Sequence, residues 1–378
     1  MADNKDKKVL NVPALRFPEF TEGWATKSIS DLATVIGGGT PDTTVKSYWN
    51  GDIQWFTPSE IGKNKYVDLS LRTITEEGLN NSSAKLLPPY TILLSSRATV
   101  GECSIALQEC ATNQGFQSLI AKNCDMDFLY YLIQTKKKEL IRKACGSTFL
   151  EISANEIRKI HTYVPSINEQ KKIGVLLSLI DKRIATQNKI IEKLETLIKG
   201  IRNNIMSKIK GDCITLQDIA DIYQPQTIAS TDLTEDGYLV YGANGIIGKY
   251  HSFNHEKEQI CITCRGNTCG TVNFTEPKSW ITGNAMVINT DNYAKNVNKR
   301  YLFHYLSSIN FNSIISGSGQ PQIVRQPLAK LKLILPVLII QNRIAECLDA
   351  MFAKMKNEQS FLQILQIQKS CLLSQMFI

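Results

Sequence analysis

No stretch of this chain approaches the roughly 18 to 20 consecutive apolar residues of a membrane-spanning helix, which argues against a helical membrane protein. The opening MADNKDKK is polar and charged with no apolar segment behind it, so no secretory signal is expected and the cytoplasm is the default location. No GxxxxGK[ST] loop occurs, which excludes the usual nucleotide-driven motor. The tetrapeptide LPPY (87–90) has the outline of the Asn/Asp-Pro-Pro-aromatic motif of adenine methyltransferases. The first residue of that motif must hydrogen-bond the target amino group, and Leu87 cannot. No glycine-rich cofactor loop precedes it either, so no methyl-transfer site is expected here.

What is present is moderate in every respect. Hydrophobic residues make up 43% and charged residues 21% of 378, as in an ordinary folded protein long enough for two domains. Lys and Arg number 43 against 35 Asp and Glu, a net charge of +8. That excess suits a polyanionic partner, and a bland basic surface equally well. The ten cysteines are scattered, and in a reducing compartment most should be free thiols serving as small apolar residues.

The chain repeats itself. GSTFLEI (146–152) returns as GSGQPQI (317–323), and IRKIHTYVPSINEQKKIGVLL (157–177) falls on LAKLKLILPVLIIQNRIAECL (328–348), both 171 residues on. Pro165 meets Pro336, Gln170 meets Gln341 and Ile173 meets Ile344. Upstream, ILLSSRATVGE (92–102) pairs with ICITCRGNTCGT (260–271) with one insertion, TNQGF (112–116) with TGNAM (282–286), and SISDLA (28–33) faintly with TLQDIA (215–220). The period is too long for a solenoid unit, so it reads as a duplicated domain-plus-helix. Each copy begins with a mixed region of strand signals and glycine turns, IGGGTPDT and YGANGIIGKY among them. An amphipathic helical segment follows (127–144 and 299–315), then the glycine turn, then a strand-like segment ending at the proline. In the first copy Ser153 and Glu156 have capping-box spacing for a short helix.

Beyond each proline the pattern changes to heptads. Apolar residues run through Ile173, Leu177, Ile180, Ile184, Ile191, Leu194, Ile198, Ile201 and Ile205, with one polar interruption at Gln187. The second run is Ile344, Leu348, Met351, Met355, Leu362, Leu365, Leu372 and Met376, interrupted at Glu358 and Lys369. Glu358 aligns with Gln187. Each helix should hold about 40 residues and span roughly 60 Å. Seams that long require burial, most simply against each other and antiparallel, because the chain must travel out and back. A core helix of some bundle is the rival reading of either run alone.

These motifs, in this order, resemble the specificity subunits of type I restriction-modification systems. The matching residues are LRFPEFTEGW (15–24), GGGTPDT (37–43), LLSSRATVGE (93–102), TNQGF (112–116), GSTFLEIS (146–153) and VPSINEQKKI (164–173), then YGANGIIGKY (241–250), GSGQPQI and LPVLIIQNRI (335–344). The resemblance spans nearly the whole chain. It implies a mixed α/β (α+β) fold with two globular target-recognition domains in tandem, separated by two long helices packed as an antiparallel coiled coil. The corresponding segments are 1–165 for the first recognition domain, 166–210 for the central helix, 211–336 for the second domain and 337–378 for the distal helix. It further implies a non-catalytic subunit whose domains each read half of a split, asymmetric double-stranded DNA target. The half-sites should lie on one face of the duplex, roughly one to two turns of about 34 Å apart. The helices would set the spacer and dock two methyltransferase subunits, with two restriction subunits joining. S-adenosylmethionine, ATP and Mg would then be needed only by those partners, for adenine N6 methylation and DNA cleavage. The chain departs from the family pattern at LIIQNRI, where an acidic residue normally precedes Gln341, so docking of the distal helix is expected to differ in detail.

Candidate DNA-contacting residues follow from residue type and place. Arg97 and Arg265 each follow a strand and precede a glycine turn, where arginine can bond a guanine edge or a phosphate; a structural ion pair is the rival. Gly38, Gly39, Thr40 and Thr43 form a loop able to present hydroxyls and backbone N–H groups, or else a simple turn. Lys46, Lys63 and Lys65, near Tyr48 and Trp49, suit backbone phosphates or solvation. In the second half the candidates are Tyr241, Asn244, Lys249, Asn267 and Gln320, since Asn and Gln pair bidentately with adenine. The duplicated glycine turn, which includes Gln320, equally suits a joint between domain and helix, and the joint is favoured because both copies must share junction geometry. The seam residues Ile173, Leu177, Ile180, Ile184, Gln187, Ile191, Leu194 and Ile198, with Ile344, Leu348, Met351, Met355, Glu358 and Leu362, are the expected helix or subunit interface. His251, His255, Cys261, Cys264 and Cys269 crowd into nineteen residues with Cys-x2-Cys spacing. Cys261 and Cys264 align with strand residues whose copy has no ligands, so no metal site is expected. Two other classes stay in view: a self-contained DNA methyltransferase or nuclease, which would bind S-adenosylmethionine alone, and a coiled-coil scaffold that ignores DNA.

Overall fold

The computed structural model describes residues 11–146, 150–243, 245–317 and 319–378. Two long helices, Ile167–Lys208 (central) and Leu338–Met376 (distal), are divided between two compact units. The first unit is Met1–Asn188 with Phe361–Ile378, and the second is Lys189–Ser360. Each globular domain thus takes part of each helix with it: in the first unit Ile173, Leu177 and Met376 join the core of the sheet, and in the second Met206, Ala345 and Leu348 cluster with Tyr301.

In the first unit a five-stranded sheet has Ala33–Gly37 antiparallel to Gln117–Ala121, which neighbours Ile92–Leu94, then Cys103–Ala106 and the short edge Tyr66–Val67. Ile92, Leu93 and Leu94 are wholly buried, as a continuous apolar run bounded by turns should be. A second sheet sets Trp49–Phe56 between antiparallel Arg72–Ile74 and parallel Cys110–Thr112. The helix Met126–Thr135, capped by Asp125 accepting from the Phe128 N–H, buries Phe128 to Ile133 against the larger sheet and the long helices. The amphipathic segment does not run on as one helix: it breaks at Lys136 and resumes as Lys137–Lys143. The short helix Ala154–Arg158 is capped by Ser153, which accepts from the Glu156 N–H. The strand His161–Val164 then pairs antiparallel with Ala25–Ser28.

The second unit repeats the plan. Its larger sheet runs Asp221–Tyr223, Ala285–Asn289, Ile260–Thr263, Val272–Phe274, and its smaller one sets Tyr238–Gly242 between Gly245–Tyr250 and parallel Trp280–Ile281. Helix Lys299–Leu306 is capped by Asn298, helix Arg325–Ala329 follows, and Lys332–Leu335 pairs with Asp212–Thr215.

All the seam positions read from the heptads are buried or half-buried, including Gln187 and Glu358. Burying one such Ile or Leu contributes roughly 1.5 to 3 kcal/mol, which holds a helix this long to its partners. Within the first unit the helices are antiparallel: Ile173 and Leu177 share a core with Met376 and Phe377, and Arg183 lies 5.3 Å from the ring centre of Phe361. Within the second, Ile201, Ile205 and Met206 pack with Ile344, Ala345, Leu348 and Met351. The break at Lys369 has a physical cause. Its ammonium bonds Asp181 at 2.7 Å, and Asp181 also accepts from the Tyr131 hydroxyl at 2.6 Å.

The joint between domain and helix is a glutamine in both copies. Gln170 Nε2 donates to the Pro165 carbonyl at 2.9 Å, and its Oε1 accepts from the Asp125 N–H at 2.9 Å. Gln341 Nε2 donates to the carbonyls of Pro336 (2.8 Å) and Asn296 (2.9 Å), and its Oε1 accepts from the Asn298 N–H at 2.8 Å. Asp125 and Asn298 are the equivalent helix caps, so each buried amide ties the long helix to the domain's principal helix. Gly174 completes the first joint, because a Cβ there would sit 2.9 Å from that of Asp127. The glycine turns are therefore not the joints expected from their repetition. Residues 147–149 and Ser318 lie outside the described residues, but the flanks pair elsewhere.

Candidate nucleic-acid interface

Those flanks pair with the arginine loops. In the first unit Ser95 N–H bonds the Glu102 carbonyl and Gly101 N–H bonds that of Ser95, closing the loop that carries Arg97. In the second, Thr263 and Thr271 form the same bond, and Gly270 returns to Thr263, with the inserted residue absorbed in the loop. Ile152 N–H then donates to the Ser96 carbonyl at 2.9 Å, and Ile323 N–H to the Cys264 carbonyl at 3.0 Å. Ser96 and Cys264 N–H groups bond Gly115 and Asn284 respectively. Sequence alignment paired TNQGF with TGNAM one position out of step with this geometry.

At one end of each larger sheet, equivalent loops consequently converge. Residues 38–45, 95–102 and 113–116 meet Cys145 and Glu151 in the first unit. Residues 224–230, 264–271, 282–284 and 319–323 meet in the second, joined by Ala243, whose carbonyl accepts from Thr263 and Thr268. Of the sequence candidates this brings together Gly38, Gly39, Thr40 and Arg97 in one unit, and Arg265, Asn267 and Gln320 in the other, where both Asn267 and Gln320 are exposed. Asn244 lies outside the described residues.

Gly39 serves close packing. A Cβ there would lie 2.3 Å from the Ala84 nitrogen, its N–H bonds Thr112, and its carbonyl accepts from Trp55 Nε1 at 3.0 Å. Gly38 is equally pressed against Thr112 and Asn113. These glycines set the loop down on the 112–116 turn, and what it presents is Thr40, whose hydroxyl bonds the exposed Gln114. Thr43, Lys46 and Lys63 are exposed, and Lys249 stands 3.6 Å from Asp236.

Two candidates are corrected. Lys65 is no surface cation: its side chain is 7% exposed, its ammonium pairs with Asp127 at 2.5 Å and donates to Ser178 on the central helix. Tyr241 is 5% exposed and its hydroxyl accepts from the Glu276 N–H, so it belongs to the core rather than to a base-reading surface; burial pushes its phenol above the ordinary value. The histidine-cysteine cluster is likewise spent on structure. Cys261 and Cys264 are buried, the Cys261 thiol is pushed up to about 12 by burial, and His255 bonds Tyr223 and Asn254. Among the described residues no group of three or more His, Cys, Asp or Glu is placed to hold a metal.

Three features escaped sequence reading. Glu151 faces Arg97, and Gln322 occupies the equivalent place opposite Arg265. The exposed Arg72 stacks on the buried Trp49, 3.6 Å from the ring centre, in the smaller sheet. A polar group of Arg300, Asp349 and His304 joins the second domain's helix to the distal helix. Burial lowers the His304 imidazole below its ordinary value despite Asp349. Burial works against the Asp349 charge, yet Arg300 and His304 hold its carboxyl below the ordinary value.

Comparison with known proteins places this arrangement. The type I restriction modification DNA specificity domain family matches residues 21–196 and again 212–366. The type I restriction enzyme EcoprrI specificity subunit of Escherichia coli is 26% identical over 370 residues, covering 91% of this chain and 90% of that protein. The MjaIX specificity subunit of Methanocaldococcus jannaschii is 40% identical over 179 residues, 45% of this chain and 41% of that protein. In fold, the crystal structure of the type I restriction-modification S subunit from M. genitalium superposes with a TM-score of 0.63 at 17% identity, covering 97% of this chain and 99% of that one. No helix among the described residues is long and apolar enough to cross a membrane. With two matches that together take in most of its length, the chain belongs to the type I restriction-modification DNA specificity domain family.

Proposed function

We infer that this chain is the non-catalytic specificity subunit of a type I restriction-modification complex, and that each recognition domain reads one half of a split double-stranded DNA target. The observation that carries the reading is the double convergence of equivalent loops at equivalent sheet ends, with Arg97 and Arg265 in the same backbone setting but different neighbours. Shared framework with unlike loop residues is what two readers of different half-sites require, since phosphate contacts position a protein and base-edge contacts specify.

The helices supply spacing and docking. Outside their seams, Val175, Leu179, Leu197, Ile339, Ile364 and Ile367 are each more than half exposed, apolar surface of the kind that marks a protein partner. Two methyltransferase subunits are the proposed occupants, with two restriction subunits joining the assembly. S-adenosylmethionine, ATP and Mg belong to those partners.

Exchanging the loops and sheets of one recognition domain for those of a relative tests the assignment. The expected result is a change in one half-site with the other half-site and the spacer retained. A chimera that keeps the parental target contradicts it.

A further inference from the structure

The duplicated arginine is set in two different electrostatic environments. In the first unit Arg97 lies across a bridge from Glu151, with Nε 3.9 Å from the carboxylate and both side chains nearly half exposed. In the second unit Arg265 lies across the same bridge from Gln322. The equivalence is fixed by backbone, not by alignment alone: Ile152 and Ile323, one residue beyond, bond Ser96 and Cys264, one residue before each arginine. Among the described residues no carboxylate stands within ion-pair distance of Arg265, which is exposed.

We propose that position 151/322 decides what the duplicated arginine does on DNA: Gln322 leaves Arg265 as a full positive charge for a backbone phosphate, whereas Glu151 neutralises Arg97 and keeps it from acting as a phosphate ligand. This rests on the reading of both loop clusters as DNA-facing. The physical reason is counterion release. A cation that neutralises a phosphate frees condensed counterions and steepens the salt dependence of binding, but a guanidinium already matched by a carboxylate adds almost nothing to that term. A carboxylate in the loop also repels the phosphate it would otherwise meet. The exposed pair itself contributes little to stability, so exchanging Glu151 for its neutral isostere leaves the loop in place.

The effect is read from the slope of log K against log salt for the chain bound to its methyltransferase subunits. The probe is a duplex carrying the split motif found by methylation mapping. Glu151→Gln should steepen the slope by about 0.9, the increment for one phosphate, and tighten binding at low salt. The double variant E151Q/R97A should return to the parental slope. Arg265→Ala should make the slope shallower by about 0.9. Thermal unfolding of each variant, unchanged from the parent, excludes misfolding as the cause. A parental slope in E151Q, or in R265A, overturns the proposal. A parent complex that binds no split duplex at all would instead sink the recognition reading beneath it, so the two failures are distinguishable.

Discussion

Replacing Gln341 by leucine removes the amide that fastens the distal helix to the second recognition domain, with nearly the same side-chain volume left behind. Gln341 is wholly buried and makes three hydrogen bonds, to the Pro336 and Asn296 carbonyls and from the Asn298 N–H. At about 1 kcal/mol net per bond the loss is about 3 kcal/mol, and the stranded Asn298 N–H adds to it. Gln170 makes two such bonds, so Gln170→Leu should cost the first unit about 2 kcal/mol. Because the chain has two compact units, a single melting curve would blend the effects, and native-state hydrogen exchange of the helices Met126–Thr135 and Lys299–Leu306 separates them. Q341L should speed exchange in the second helix about a hundredfold and leave the first nearly untouched, with Q170L doing the reverse to a smaller extent. A loss below about 0.5 kcal/mol in either variant would refute the joint, since that is the scale of an ordinary surface change.

Lys65→Met should lower the stability of the first unit by about 1 to 2 kcal/mol, by stranding Asp127 and the Ser178 hydroxyl, while the salt slope of DNA binding stays parental; a shallower slope would return Lys65 to the DNA surface. The second unit should weaken as pH falls. His255 and His304 are both held below their ordinary value by burial, so the stability they contribute is present above about pH 6.5 and is lost as pH falls below it. Asp349, held low by Arg300 and His304, adds a second loss as pH falls below the ordinary carboxylate range. Urea unfolding of the second unit at pH 7.5 and 5.5 checks the first step, and equal midpoints would contradict it.

The long helices were legible because heptad spacing records burial directly, and the half-buried Lys369 is the instructive exception: a polar seam residue there signals a facing carboxylate, which only the fold supplies. The repeat was legible, but its meaning was not. Repetition of GSTFLEI and GSGQPQI suggested a joint, whereas the joint is the Pro-x4-Gln pair whose repetition was equally plain in the sequence. Nothing local distinguishes a glutamine that caps a neighbouring helix from one facing water. Lys65 and Tyr241 went wrong for the same reason, since residue type says what a side chain can bond and burial says what it does bond. Arg97 and Arg265 were placed correctly as equivalents; Glu151 and Gln322, which distinguish them, needed the cross-loop register.

Sequencing DNA methylation in cells that carry this chain with its methyltransferase partner bears most directly on the central claim of two readers on one ruler. The expected result is N6-methyladenine in a split motif, two specified segments separated by an unspecified spacer of fixed length. A contiguous motif, or no motif dependent on this chain, would contradict the account.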